Sequence, residues 1–266
     1  MTAVLQSMDR KPADAVPVDT VLPDRVAATL TAFREAAAED LLLLALLHDR
    51  ELTRKQISSL REHCYDDFLG LNLRGERARQ ALNLLRQGLT DLPTELTDAS
   101  LDALAVDYAE IYLTYGLRAS PCESVWLDED NLALQSPMFR VRAWYRRYGL
   151  AVEDWRKRSD DHLVYELRFL AQLLRGDPEP AALAEVAQFL DEHPLRWIDR
   201  FAERVCTRCA TRFYAGLALL TAAYLDELRD LLAALIGQPR PAAPADMPPP
   251  DADADAPYVP GTSPGW

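Results

Sequence analysis

TRFYAGLALLTAAYLDELRDLLAALIG, the stretch from Thr211 to Gly237, reads as one long amphipathic helix. Phe213, Leu217, Leu220, Tyr224, Leu228, Leu231 and Leu235 recur every three or four residues and form a single stripe. Gly237 stands where a left-handed residue ends a helix. The run from Leu217 to Ile236 raises the question of a membrane span, which needs roughly 20 apolar residues. Asp226, Glu227, Arg229 and Asp230 interrupt it. It is therefore expected to cover a protein core, and no stable membrane insertion is expected.

The same period continues upstream. Asp24 can cap a helix that runs through LLLLALL to about His48. Thr53 with Gln56 has the capping-box pattern. Helical spacing recurs near 75–88, at about 101–115 and at about 160–175. Ser136-Pro137, Asp177-Pro178 and His193-Pro194 punctuate the chain, the first in the favoured N-cap order. No strand alternation survives over a useful length. The expected fold is all-α, a single compact bundle of about eight to ten helices spanning residues 23–237. Residues 1–22 are expected to be loose. The stretch 238–266, QPRPAAPADMPPPDADADAPYVPGTSPGW, has too much proline and aspartate to offset the entropy of ordering and is expected to be disordered. One connection breaks the rule of short links: residues 116–136 form a loop long enough to demand a function.

Composition narrows the classes. The chain has 266 residues, 49% of them hydrophobic, and a net charge of −13 from 42 acidic and 29 basic residues. Such a surface repels nucleic acid, which needs a basic footprint, and could attract a basic peptide. Met1–Val16 lacks the apolar core of a secretory signal. The cysteines Cys64, Cys122, Cys206 and Cys209 are then read as reduced thiols in the cytoplasm.

Templates for catalysis are missing. There is no GxGxxG, Walker A, GxSxG or HExxH, and His48, His63, His162 and His193 share no metal-ligand spacing. No cofactor and no metal are expected. Cys206-Thr-Arg-Cys209 can be half a zinc site, a redox pair, or two small residues packed on one helix face; free cysteine usually packs. His162 and Glu166, four residues apart, share a helix face, where the carboxylate would raise the imidazole pKa. The alternative is a capped helix start with Ser159 or Asp160 as N-cap. That leaves Asp161 in the first turn, free to face a ligand. The loop SPCESVWLDED, Ser120 to Asp130, combines an aromatic with acids. This suits a peptide groove with a negative rim, or else a surface loop with Trp126 tucked into the bundle.

Taken together, these segments resemble the TorD/DmsD/NarJ family of redox-enzyme maturation chaperones. The resemblance rests on an aromatic helix with Tyr108, Ile111 and Tyr112; on Pro121, Glu123, Ser124, Val125 and Trp126; and on Asp161, His162, Glu166, Leu167 and Phe169, in that order. HPLRWIDRF and RFYAGLALL extend it, so that it covers about 24–236. Cys122 stands where an aromatic often follows the loop proline, and Ile111-Tyr112 where Leu-Phe is common. The resemblance implies an all-helical, cytoplasmic, non-enzymatic chaperone for a molybdenum-cofactor oxidoreductase subunit. Such a chaperone binds the subunit's twin-arginine leader while the cofactor is inserted. It also implies a peptide-binding site at Tyr108, Ile111, Tyr112, Pro121, Glu123, Ser124, Trp126, Asp161, His162 and Glu166. In that site Trp126 and Tyr112 would hold the apolar part of the leader. Glu123, Asp128, Glu129, Asp130 and Asp161 would face its arginines. A helical adaptor unconnected with export, or a metal or redox protein built on Cys206 and Cys209, is the competing reading. Exchange of helices across the long loop would give a homodimer.

Overall fold

A computed structural model describes residues 5–7, 24–63, 68–176 and 180–241. Most of the stretches expected to be loose or disordered, 1–22 and 238–266, lie outside these residues. Within them the chain is a helical bundle: α1 Asp24–Asp49, α2 Arg54–His63, α3 Glu76–Thr90, α4 Asp98–Tyr108, a π-helical turn Ala109–Leu113, α5 Ser124–Leu127, α6 Ser136–Arg147, α7 Leu163–Arg175, α8 Pro180–Glu192, a 3-10 turn Pro194–Arg196, α9 Ile198–Arg208 and α10 Arg212–Ile236.

The stripe that decided the fold is the centre of the core. Phe213, Leu217, Leu220, Tyr224 and Leu228 of α10 are fully buried. The helix packs against α3, α9 and α8, while α7 packs against α1 and α8. Glycine lets α3 and α10 approach at backbone distance. A Cβ on Gly88 would sit 2.3 Å from the Phe213 nitrogen, and one on Gly216 would sit 2.4 Å from the Leu85 nitrogen. Gly237, at φ +65°, ends α10 as its sequence indicates. Thr53 and Gln56 exchange their capping bonds.

Two elements differ from the periodicity. The helix expected through Tyr115 opens at Ala109 into a π-turn, closed by Thr114 N donating to Ala109 O at 2.8 Å. Such insertions concentrate at functional sites. A short antiparallel pair also forms, Leu5–Ser7 with Leu150–Val152. Strands of three residues are too short to betray themselves by alternation.

Several loops are tied down by carboxylates from distant helices. Asp40 of α1 accepts from the Gly70 and Leu71 nitrogens at 2.6 and 2.9 Å. Glu227 of α10 accepts from Arg74 N and Gly75 N at the start of α3. Asp107 of α4 accepts from Ala210 N and Thr211 N at the start of α10. Each satisfies amides that a helix start or turn leaves without partners.

Candidate functional site

The long loop between the π-turn and α6 carries the backbone strain. Tyr115, Arg118, Asn131 and Leu134 have φ of 55°, 52°, 53° and 62°. A non-glycine side chain in that region costs roughly 1 kcal/mol or more, so something must hold the loop in place.

Its inward face is held by polar groups. Leu163 N donates to Pro121 O at 2.8 Å and Glu123 N to Asp161 O at 3.0 Å, an antiparallel bridge that pairs Cys122 with His162. Asp161 accepts from Ser124 N at 2.7 Å, from the Ser124 hydroxyl, and from the Ser159 hydroxyl. Its carboxylate thus caps the short helix α5. The carboxylate is fully buried, and burial raises its pKa against the opposing pull of those bonds. Glu123 meets His193 Nδ1 at 2.8 Å. Glu166 accepts from the Trp197 indole N–H at 3.3 Å. Burial first, then the carboxylates of Glu123 and Asp161, pushes Glu166 well above the usual carboxylate range. Tyr108 donates its hydroxyl to Asp49 O at 2.8 Å. The Thr221 hydroxyl donates to Leu217 O, so it accepts from His48 Nε2–H. That leaves His48 Nδ1 to accept from the Tyr112 hydroxyl at 2.5 Å. Burial lowers the His48 pKa to about 3, which keeps this chain of bonds in its neutral form.

These contacts correct several expectations. Asp161 precedes α7, and its two oxygens are engaged by serines, so it is not free to meet a ligand arginine. The α7 N-cap is His162, whose Nδ1 accepts from Val164 N at 3.2 Å. Its pKa is lowered by burial, not raised by a carboxylate, because Glu166 turns toward Glu123 and Trp197. Glu123 is enclosed with His193, and Tyr112 is enclosed with His48, so neither stands in a groove. The structure joins Pro121, Glu123, Ser124, Asp161, His162 and Glu166 in one seam and sets Tyr108 and Tyr112 against Asp49 and His48; with Ile111 and Trp126, all ten residues are buried.

The outward face is different. A half-open cavity of about 390 Å³ lies between the loop and α9. Trp126 forms its floor, and of the ten residues it is the one that lines it. Its indole N–H donates to Ser120 O at 2.8 Å, and its ring is covered by the guanidinium groups of Arg200 and Arg204 at 5.4 and 4.7 Å. Tyr115, Asn131 and Ala133 form the rim, and Arg118 completes a trio of arginines. Arg200, Arg204 and Arg208, one turn apart on α9, donate to the carbonyls of Trp126, Arg118 and Leu117 at 2.7, 3.1 and 3.1 Å. This arginine row braces the strained loop. The lining contains no carboxylate, so the negative rim expected of the groove is absent from the cavity itself. Glu129 and Asp130 lie just beyond it, exposed, while Asp128 folds back to accept from Asp130 N and Leu132 N. Leu113, Tyr115, Leu132 and Leu134 are exposed apolar residues on or beside the rim.

A second cavity, of about 460 Å³, lies between α1 and the end of α7, near Leu30, Glu35, Glu39 and Leu174. Among the described residues no cluster of His, Cys, Asp and Glu is arranged to hold a metal. Cys206 and Cys209 are free thiols with pKa values raised by burial, that of Cys209 to about 12. Cys209 ends α9, donating its amide to Val205 O at 2.9 Å. No helix among the described residues is long and apolar enough to cross a membrane.

The family model described as nitrate reductase delta subunit matches residues 74–203, a span that contains the whole strained loop, the polar seam and the first arginine of α9. Three curated relatives are each named chaperone protein TorD. The one from Vibrio vulnificus is 27% identical over 203 residues, covering 73% of this chain and 94% of the relative. The one from Aliivibrio fischeri is 28% identical over 204 residues, with 74% and 94% covered. The one from Shewanella loihica is 29% identical over 197 residues, with 72% and 90% covered. These matches support the TorD/DmsD/NarJ chaperone family for this chain. In this chain, most of the motif residues that carry the resemblance lie in the buried seam. The cavity above them is made largely by side chains the motifs do not include: Tyr115, Arg118, Asn131, Ala133, Arg200 and Arg204. The spacing of Arg200, Arg204 and Arg208 was the one sequence signal for them.

Proposed function

We propose that the chain is a cytoplasmic chaperone of molybdoenzyme maturation that binds the twin-arginine leader of an oxidoreductase subunit before export, and that it acts by binding rather than by catalysis. The observation that carries this reading is the half-open cavity on a strained loop that is locked from within and bordered by exposed Leu113, Tyr115, Leu132 and Leu134. A twin-arginine leader is a basic segment followed by an apolar stretch. The apolar stretch would lie over Tyr115 and the Trp126 floor. The arginines would turn away from the basic lining toward Glu129 and Asp130.

Calorimetry with a twin-arginine leader peptide tests the proposal. The expected Kd is micromolar or tighter, roughly −8 kcal/mol, with weaker binding of the peptide whose arginine pair is replaced by two lysines. Equal binding of an unrelated basic peptide would contradict it.

A further inference from the structure

The cavity lined by Arg118, Arg200 and Arg204 is a positive site on a chain of net charge −13. Beyond Arg240 the chain has no lysine or arginine. It carries Asp246, Asp251, Asp253 and Asp255, the last three alternating with alanine after a run of three prolines. We infer that this acidic segment, Asp251 to Asp255, docks in the arginine cavity of the same molecule and occludes it.

The exit of the chain from the bundle favours this. Gly237 reverses the backbone after α10. Pro239 O then meets Arg229, and Arg240 pairs with Asp226 and Asp230, so the chain runs back along α10 rather than away from it. α10, which carries Asp226, packs against α9. Arg77 is paired with Asp199 at 2.6 Å, and Asp199, Asp226 and Glu203 together hold its pKa up. The exit point is thus on the flank of the helix that carries Arg200 and Arg204. Asp251 lies ten positions beyond Pro241, and a proline-rich stretch spans about 3.1 Å per residue, or roughly 31 Å. That exceeds the rise of α9 from its start to its second turn, at about 5.4 Å per turn.

The spacing also fits. In an extended chain, residues two apart lie about 6–7 Å from each other on one side. Arg200 and Arg204, four apart on a helix, lie about 6 Å apart. An Asp-Ala-Asp-Ala-Asp segment can present successive carboxylates to successive guanidinium groups. The prolines before it are suited to the exposed Tyr115 ring, since aromatic grooves take up extended proline-rich chains. Tethering supplies a millimolar effective concentration, so individually weak, salt-screened contacts suffice.

The consequence for the client rests on the leader-binding reading above: a docked tail would compete with the leader's apolar stretch for the same cavity. The experiment separates the two ideas. The full chain is compared with the full chain carrying D251N, D253N and D255N. A synthetic peptide of residues 242–266 is titrated into each. The peptide is expected to bind the triple variant at least tenfold more tightly than the unaltered chain, whose own tail occupies the site. The binding should weaken steeply between about 50 and 500 mM salt and shift the amide signals of Tyr115, Arg200 and Arg204. A peptide carrying the same three asparagines should lose at least tenfold on the triple variant. Equal binding to both proteins, or equal binding of the asparagine peptide, overturns the inference. A leader peptide is titrated into the same two proteins. If it binds the triple variant at least threefold more tightly, competition holds. If it binds both equally while the tail peptide still distinguishes them, occlusion is overturned and docking stands. If it binds neither, the leader reading fails and docking is judged on the tail peptide alone.

Discussion

The two faces of the 114–135 loop are built on opposite principles. The inward face is acidic and closed: Glu123, Asp161 and Glu166 are fully buried, and Asp161 alone collects three hydrogen bonds. The outward face is basic and half-open, with Trp126 under two guanidinium groups and apolar side chains left in solvent. The residues by which the family is recognised belong almost wholly to the first. Conspicuous motif residues can therefore be the clamp that shapes a site, while the site is lined by residues no motif names. The strain at Tyr115, Arg118, Asn131 and Leu134 links the faces, because it persists only while the clamp holds.

The division is tested most severely by removing the clamp. Asp161→Ala leaves Ser124 N, the Ser124 hydroxyl and the Ser159 hydroxyl without their acceptor in a dry interior. A loss of about 3 kcal/mol or more in urea unfolding is expected. A variant as stable as the parent would show that the inner face is no clamp. On the outer face the pattern should invert. Ala133→Arg fills the cavity rim with bulk and a fourth positive charge. It should weaken leader binding about tenfold, or about 1.4 kcal/mol, while moving stability by no more than about 0.5 kcal/mol. Comparable losses of stability from both variants would erase the distinction.

Glu166 sharpens the comparison through pH. Its folded pKa is raised, so its stabilising contribution is complete below the unfolded value of 4.5. The contribution is lost as pH rises toward the folded pKa, at up to about 1.4 kcal/mol per pH unit. Glu166→Gln removes this loss. The variant should gain on the parent as pH rises above 4.5, and parallel pH profiles would contradict the buried-acid account. The smallest effect is expected away from both faces. With thiols held protonated by burial and no metal cluster among the described residues, C206S combined with C209S should leave leader binding within a few fold. Zinc retained at one equivalent by the parent and lost by this variant would reopen the metal reading.

The bundle was legible because its helices announce themselves. The α10 stripe, the Thr53–Gln56 box and Gly237 all act locally, where sequence spacing is spatial spacing. The site was legible only as a set of residues that would meet. Their burial was hidden, because Asp161 finds Ser124 from 37 positions away and His193 finds Glu123 from 70, and no periodicity encodes such pairings. An acidic loop likewise invited a negative groove, whereas its acids are divided between the interior and a turn, and the cavity's charge arrives from α9. The π-turn at Ala109–Leu113 was invisible for a different reason: Leu101, Leu104, Tyr108 and Ile111 keep helical spacing into it, and too little helix follows to show the offset that one extra residue makes.

The central claim, that the client is held on the outer face, is tested most directly by photo-crosslinking. A benzophenone side chain is placed in the apolar stretch of the leader peptide, and the adducts on the protein are mapped by mass spectrometry. The account predicts adducts within 113–134 and at the Arg200–Arg204 turn of α9. Adducts confined to the other large cavity, around Leu30, Glu35 and Leu174 between α1 and α7, would contradict it.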